Sequence, residues 1–419
     1  MATQEQRTLK RSIGLWSAVA ISVGAIIGGG IFVVVGILAG YAGPALEVSI
    51  IISGLIAFIT ATSFAKLASW QPVEGSVYEY GRQLVSPITG FLSGWMWLIA
   101  NTFTGAAVSI GFANYLSSAF PSLPTNIVAA LLCLAFTGLN LIGAKESTGV
   151  NNVLVAVKLA VLAFFVIFGA LHFNSENFIP FNPLSSGVLY GSFFIFFAYG
   201  GFARVAVVAE EVKDAKRNVP RALFFSLGIS MLVYVLVAVV AVGLLKPTQL
   251  SLSGSPLSTA ISTTGSSLAV QIIAIGGLVA TASVLLTAIL GVSRMAYSMA
   301  RRNDLPFALS HLHHKFLTPY YAILVAGILM ALLALFVDLK QVVAVSTFAL
   351  LFTYCIVNIA AFKLKSNHQW KEALPLLGLA TCIMLLGFVL FASPQSVAIG
   401  VAFLIAGTIY YILRKKLKR

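Results

Sequence analysis

The stretch from Gly24 to Phe32, GAIIGGGIF, constrains this chain more than any other. It lies inside the apolar run from Leu15 to Leu38, which is long enough to cross a bilayer, and it sets three consecutive glycines near the membrane centre. Each glycine costs roughly 1 kcal/mol of helix propensity relative to alanine, and in hydrocarbon the amides of an unwound turn have no water to pair with. A broken membrane helix is tolerated only where its freed amides and carbonyls line a cavity. There they can bind ions and polar substrate groups.

The remainder of the sequence agrees with a membrane setting. Hydrophobic residues make up 59% of the chain and charged residues 9%, far from the composition of a soluble globular domain. Connections between apolar runs are short, so the chain reads as a single membrane domain over 1–419. The first run is too long for a removable secretory signal and lacks a small-residue cleavage site. Twelve runs of spanning length follow one another at 12–40, 45–68, 87–115, 125–142, 149–171, 186–209, 219–245, 268–299, 319–337, 340–363, 373–392 and 395–413. The expected fold is therefore an all-α polytopic membrane protein with 12 transmembrane helices.

The net charge of +14 is informative through its placement. With odd-numbered spans entering from the cytoplasm, 22 of the 26 Lys and Arg residues fall on the cytoplasmic side, among them Arg7, Lys10, Arg11, Lys145, Lys365, Lys371, Lys418 and Arg419. Lys246 and Lys340 fall outside, and Lys158 and Arg204 within spans. This distribution places both termini in the cytoplasm of a multi-pass plasma-membrane protein. It reports topology and anionic lipid, not nucleic acid. Cys133, Cys355 and Cys382 sit in apolar runs without metal-ligand spacing and read as small core hydrophobes.

A second interruption occurs in the sixth run, FAYGGF at Phe197 to Phe202, at a depth like that of the first. The two runs enter from opposite sides. Paired glycine interruptions in corresponding places of two halves are the pattern of a transporter site built on inverted repeats. Residues 12–171 and 186–363 then form two five-helix repeats, and 373–413 supplies two additional helices.

These residues carry a resemblance to the amino acid, polyamine and organocation permease superfamily. It rests on GAIIGGGIF (24–32), AGP (42–44), PVEGSVYEY (72–80), FFAYGGF (196–202), EEVKDAKRNVPRA (210–222) and SRMAYSMARRNDLP (293–306). The chain departs from that pattern at Lys66, Ala203 and Ala215. The resemblance implies a LeuT-like five-plus-five inverted repeat with broken helices 1 and 6, and transport by alternating access.

Candidate site residues follow from both arguments. Free amides at Gly28, Gly29 and Gly30, with the positive end of the outer half-helix, suit a substrate carboxylate. Carbonyls near Ile26, Phe197 and Gly200 suit an ammonium group. Together they read a zwitterion, while the competing role for the glycines is close helix packing. Asn101 and Thr104 share one face of the third span, which lines the pocket in this superfamily, and packing hydrogen bonds are the alternative. Phe197, Tyr199 and Phe202 are candidates to close over the site, with a core role as the alternative.

Lys158 lies about 13 Å along the axis from the cytoplasmic end of the fifth span at 1.5 Å per residue. An ionisable group at that depth is a functional hypothesis in itself. Burial disfavours the charged form of an amine, so Lys158 is a candidate to exchange a proton, against a static role satisfying carbonyls. By position, the resemblance gives it the carbonyl of Gly24 and the hydroxyl of Ser283 as neighbours. Arg204 keeps its charge at any accessible pH. Its expected role is a structural or gating pair with Glu210 or Glu211, with the cytoplasmic vestibule or an anionic substrate group as alternatives.

His311, His313 and His314 lie in a basic loop with no partner Cys or carboxylate set, so a solvated loop is expected there and no metal. No catalytic triad, nucleotide loop or zincin motif is present, and neither a cofactor nor an enzyme is expected. Acids are confined to loops and helix ends, which favours uncharged amino acids over polyamines. The sequence therefore reads as a proton-coupled importer of amino acids. Its rivals are an exchanger without proton movement, a sensor that binds without transporting, and a channel, although a channel would show filter loops or rings of charge. Nothing in the sequence specifies an oligomeric state.

Overall fold

The computed structural model describes residues 12–72, 75–143, 148–364 and 370–417. The bases Arg7, Lys10, Arg11, Lys145, Lys365, Lys418 and Arg419, and the motif residues Val73 and Glu74, lie outside the described residues. Among those described, the regular structure is helical, with one isolated bridge between Ile13 and Val212. In chain order the helices are α1 (Leu15–Ile26), α2 (Val35–Ala42), α3 (Leu46–Trp70), α4 (Ser76–Tyr80), α5 (Pro87–Ala119), α6 (Thr125–Leu141), α7 (Thr148–Ala170), α8 (Ser186–Tyr199) and α9 (Arg204–Val207). They continue as α10 (Ala215–Leu244), α11 (Pro247–Leu250), α12 (Pro256–Ser262), α13 (Ser267–Arg301), α14 (Tyr320–Phe336), α15 (Leu339–Lys363), α16 (Trp370–Ala392) and α17 (Pro394–Leu417).

Each expected span coincides with helix, the first divided between α1 and α2 and the sixth between α8 and α9. Among the described residues, 9 stretches are long and apolar enough to cross a membrane. One of them, Leu15–Trp70, takes in the first two expected spans, and α6 and α14 are shorter apolar helices of 17 residues each.

Local sequence sets the ends. Ser86 caps α5 by accepting the amide of Thr89, with Pro87 in the first turn where no amide partner is lost. Asp338 caps α15 through the amide of Gln341, and Ser266 caps α13 through that of Ala269. At the end of α2, Gly43 adopts φ 58°, which a side chain disfavours, and Pro44 follows.

Burial separates the helices into a centre and a rim. The apolar windows of α5 and α15 are 83% and 89% buried, against 28%, 28% and 22% for α7, α16 and α17. The rim presents Ile167, Ile405 and Phe391 outward, a surface suited to lipid and hostile to water. In the centre, α5 lies between α13 and α15, and α1 rests against α7, α10 and the turn Gly200–Ala203.

At one end, ion pairs tie α4 and the turn after it to the end of α13. Tyr78 donates to Asp304 at 2.6 Å, Arg82 reaches the same carboxylate at 2.9 Å, and Arg302 meets Glu79 at 2.7 Å. Burial and then the Asp304 carboxylate push up the Tyr78 phenol, which keeps it a donor.

Candidate functional site

The unwinding in the first span falls on Ile27 and Gly28. Helix α1 ends at Ile26, and Ile27 is extended at φ −77°, ψ 92°, with its amide still on Val23 O at 2.7 Å. Gly29 is again helical, and Gly30–Val34 winds as a π-helix into α2. The first amides of a restarted helix have no intrahelical partner, so the expected donor face lies at this point. In the sixth span the interruption is milder. Gly200–Ala203 tightens into a 3-10 turn with helical dihedrals at both ends, and α9 follows directly.

Glycine is required here by crossing backbones. A Cβ on Gly30 would lie 2.7 Å from Ala198 Cα, and one on Gly201 would lie 2.6 Å from Ile26 N. The two interruptions therefore pass backbone to backbone. A Cβ on Gly28 would strike the Val284 side chain, and one on Gly29 that of Val108.

Side chains from the surrounding helices hold the carbonyls beside the breaks. Lys158 Nζ donates to Gly24 O at 3.0 Å, Tyr234 to Ile26 O at 2.7 Å, and Tyr115 to Phe32 O at 2.7 Å. On the other interruption, Tyr354 donates to Gly200 O at 3.0 Å and Ser22 to Phe202 O at 3.2 Å. Each bond answers an acceptor that hydrocarbon would leave bare.

Between the interruptions lies a cavity of ≈ 30 Å³, room for about one water molecule. Ile26, Gly29 and Gly30 line one wall, Phe197, Gly200, Gly201 and Arg204 another, and Asn101, Thr104 and Val108 a third, closed by Val284 and Leu350. Thr104 contacts Ser346 at 3.0 Å and donates to Ala100 O at 2.9 Å. Asn101 donates to Trp97 O at 2.9 Å and turns its Oδ1 to Arg204 at 3.5 Å.

Several expectations are corrected. Gly28 is not among the cavity-lining residues, and a Cβ there would meet the Val284 side chain of α13. Tyr199 is fully buried against the scaffold, donating to Ile50 O at 3.2 Å, and Phe202 packs edge-on to Phe64. At their spacing in a helical chain the three aromatics cannot share a face, and Phe197 alone of them lines the cavity. Two of the carbonyls expected to meet an ammonium already accept one bond each, Ile26 O from Tyr234 and Gly200 O from Tyr354, while Ile26 and Gly200 both line the cavity. The Ser283 hydroxyl donates to Ala280 O at 3.1 Å and keeps its acceptor lone pairs, so this bond leaves the expected place beside Lys158 standing. Arg204 turns away from Glu210 and Glu211, with Nη1 on Thr287 O at 2.9 Å. The sequence reading passed over Tyr234 and Tyr354, although a tyrosine in mid-span is itself a signal of a carbonyl needing a donor.

His313 and His314 stack in an exposed loop. Among the described residues, no group of three or more His, Cys, Asp or Glu is placed to hold a metal ion.

Interrupted helices that enclose a small polar cavity inside an apolar bundle are the architecture of a membrane transport protein. The model of the amino acid permease family matches residues 13–413, and the chain belongs to that family, within the amino acid, polyamine and organocation superfamily. Its members are transporters rather than enzymes. A transporter of Mycobacterium tuberculosis is 35% identical over 416 residues, covering 98% of this chain and 93% of that protein. The branched-chain amino acid permease BcaP of Bacillus subtilis is 30% identical over 388 residues, covering 88% and 83%. A solved manganese transporter of Eremococcus coleocola superposes with a TM-score of 0.63, covering 97% of both chains at 16% identity, a likeness of fold alone.

Proposed function

We propose that this protein imports uncharged amino acids together with protons, by alternating access across the plasma membrane. In this reading the chain crosses twelve times with both termini in the cytoplasm. Residues 12–171 and 186–363 form inverted repeats and 373–413 adds two helices, with the LeuT-like breaks in α1–α2 and α8–α9 facing each other across the site.

The observation that carries the reading is Lys158, 2% exposed, on the carbonyl of Gly24 within one turn of the unwound residues. An ammonium donor makes a bond about twice as strong as a neutral one, so the charge on Lys158 sets how firmly α1 is held to α7. Losing the proton loosens α1 and favours the other orientation of the site. Amides at Gly29 and Gly30 take the substrate carboxylate, and Asn101 and Thr104 contact its remainder. The cavity of ≈ 30 Å³ is far below the roughly 300 Å³ of a small-molecule pocket, so admitting substrate requires the wall helices to part.

The relatives include both a branched-chain permease, 30% identical, and a cationic amino acid transporter of Arabidopsis thaliana, 31% identical, so the preference for uncharged substrates rests on the absence of Asp and Glu from the described cavity lining. The test is uptake of labelled leucine into proteoliposomes with and without an imposed pH gradient. Wild-type protein should concentrate leucine only with the gradient. Lys158→Ala should lose that concentration while retaining counterflow, since the proposed substrate contacts lie elsewhere. Proton-driven concentration undiminished in Lys158→Ala would make Lys158 a structural lysine.

A further inference from the structure

We propose that Arg204 is a charge filter, the residue that excludes amino acids with a cationic side chain from the cavity. The proposal rests on the transport reading above and deepens it. Arg204 is the first residue of α9, directly after the 3-10 turn, and it lines the cavity. Its guanidinium bonds are to neutral groups, Thr287 O at 2.9 Å and Asn101 Oδ1 at 3.5 Å. Among the described residues no Asp or Glu lines the cavity, and the ion pairs tie α4 and its following turn to the end of α13.

The group is also fixed in place. A Cβ built on Gly291 would come within 3.7 Å of its Nη1, so the guanidinium rests against α13 beside Gly291 as well as bonding to α13 and α5. A planar cation held this way, charged at every accessible pH, is a constant positive field at the wall. A zwitterion passes that field with no net charge, whereas a side-chain ammonium adds one. At about 6 Å and an effective dielectric of about 20, two like charges disfavour each other by about 100-fold.

Lysine and norleucine isolate the effect, since they share a main chain and a linear stem and differ by the terminal ammonium. Each would compete with labelled leucine uptake in proteoliposomes carrying wild-type protein, Arg204→Lys or Arg204→Gln, with Arg204→Met as the substitute should Arg204→Gln fail to insert. The readout is the ratio of half-inhibiting concentrations, lysine to norleucine. The expected ratio is about 100 in wild type, within about threefold of that in Arg204→Lys, which keeps the charge, and below about 5 in the neutral variant. A wild-type ratio near one overturns the filter while leaving amino acid transport standing. So does a neutral variant that takes up leucine and keeps the wild-type ratio. Wild-type protein that takes up neither leucine nor any other amino acid overturns the transport reading, and the filter falls with it.

Discussion

The two interruptions that face each other across the cavity are built differently, although both are announced by glycine. At Ile27 the first chain is extended, and the helix restarts as a π turn. At Gly200 the second chain only tightens, and helical dihedrals continue through it. The difference lies in where backbone groups go. An extended residue between two half-helices frees amides and carbonyls together, and Lys158, Tyr234 and Tyr115 reach in from three helices to hold the carbonyls on that side. A 3-10 turn keeps most of its bonds internal, and Tyr354 and Ser22 suffice. The first break therefore offers binding groups and the second offers a wall.

The strongest way to break this arrangement is to force the two backbones apart. Gly201→Ala puts its new methyl against the backbone at Ala25 and Ile26, and Gly30→Ala puts it 2.7 Å from Ala198 Cα. Backbone cannot yield as a side-chain end does, so each change should cost the upper part of the usual 1–3 kcal/mol for overpacking, or more. The check is the thermal midpoint and yield of monodisperse protein in detergent. A Gly201→Ala protein as stable as wild type would show that the helices do not cross this closely.

Removing a carbonyl donor tests the asymmetry itself. Tyr234→Phe leaves the Ile26 carbonyl at a helix end, in an apolar setting, without its donor. That should cost about 1–3 kcal/mol. Tyr354→Phe strips a carbonyl that a 3-10 turn can still engage, so it should cost about 1 kcal/mol or less. Equal losses in the two variants would mean that the interruptions are alike after all.

How much of this was legible in the sequence depends on the kind of residue. Helix positions were, because a run of about 20 apolar residues has few other uses. The region of the first break was too, since three glycines in hydrocarbon must be compensated, although the extended residue is Ile27, just ahead of them. Lys158 stood out as a lone amine in an apolar helix, and it lies on the Gly24 carbonyl, where the resemblance placed it. Side-chain direction was not legible. Phe197 and Tyr199 sit at the end of a helix apolar on every side and Phe202 in the turn after it, so no polar face marks which of them turns inward. Arg204 had acidic residues one to two turns ahead and a cavity beside it, and sequence spacing alone does not choose between them. The unlike character of the breaks was hidden for a similar reason: glycine permits an extended residue or a tight turn equally.

The smallest expected effect sharpens the contrast most finely. The three atoms nearest a Cβ at Gly200 all belong to the Leu350 side chain, with Cδ1, its flexible far end, closest at 2.6 Å. Leucine can rotate away from that contact, and alanine recovers roughly 1 kcal/mol of helix propensity over glycine. Gly200→Ala should therefore leave stability within about 0.5 kcal/mol of wild type, unlike its neighbour Gly201. Both Gly200 and Leu350 line the cavity, so the cost should appear in transport instead, as weaker uptake of leucine than of alanine. Shortening Leu350 to Val in the same protein should restore the space and recover leucine uptake, a coupling that a double-mutant cycle reads directly. If Gly200→Ala is as destabilising as Gly201→Ala and Leu350→Val gives no relief, the second interruption is crossed by backbone at both glycines, and the wall is as tightly specified as the break it faces.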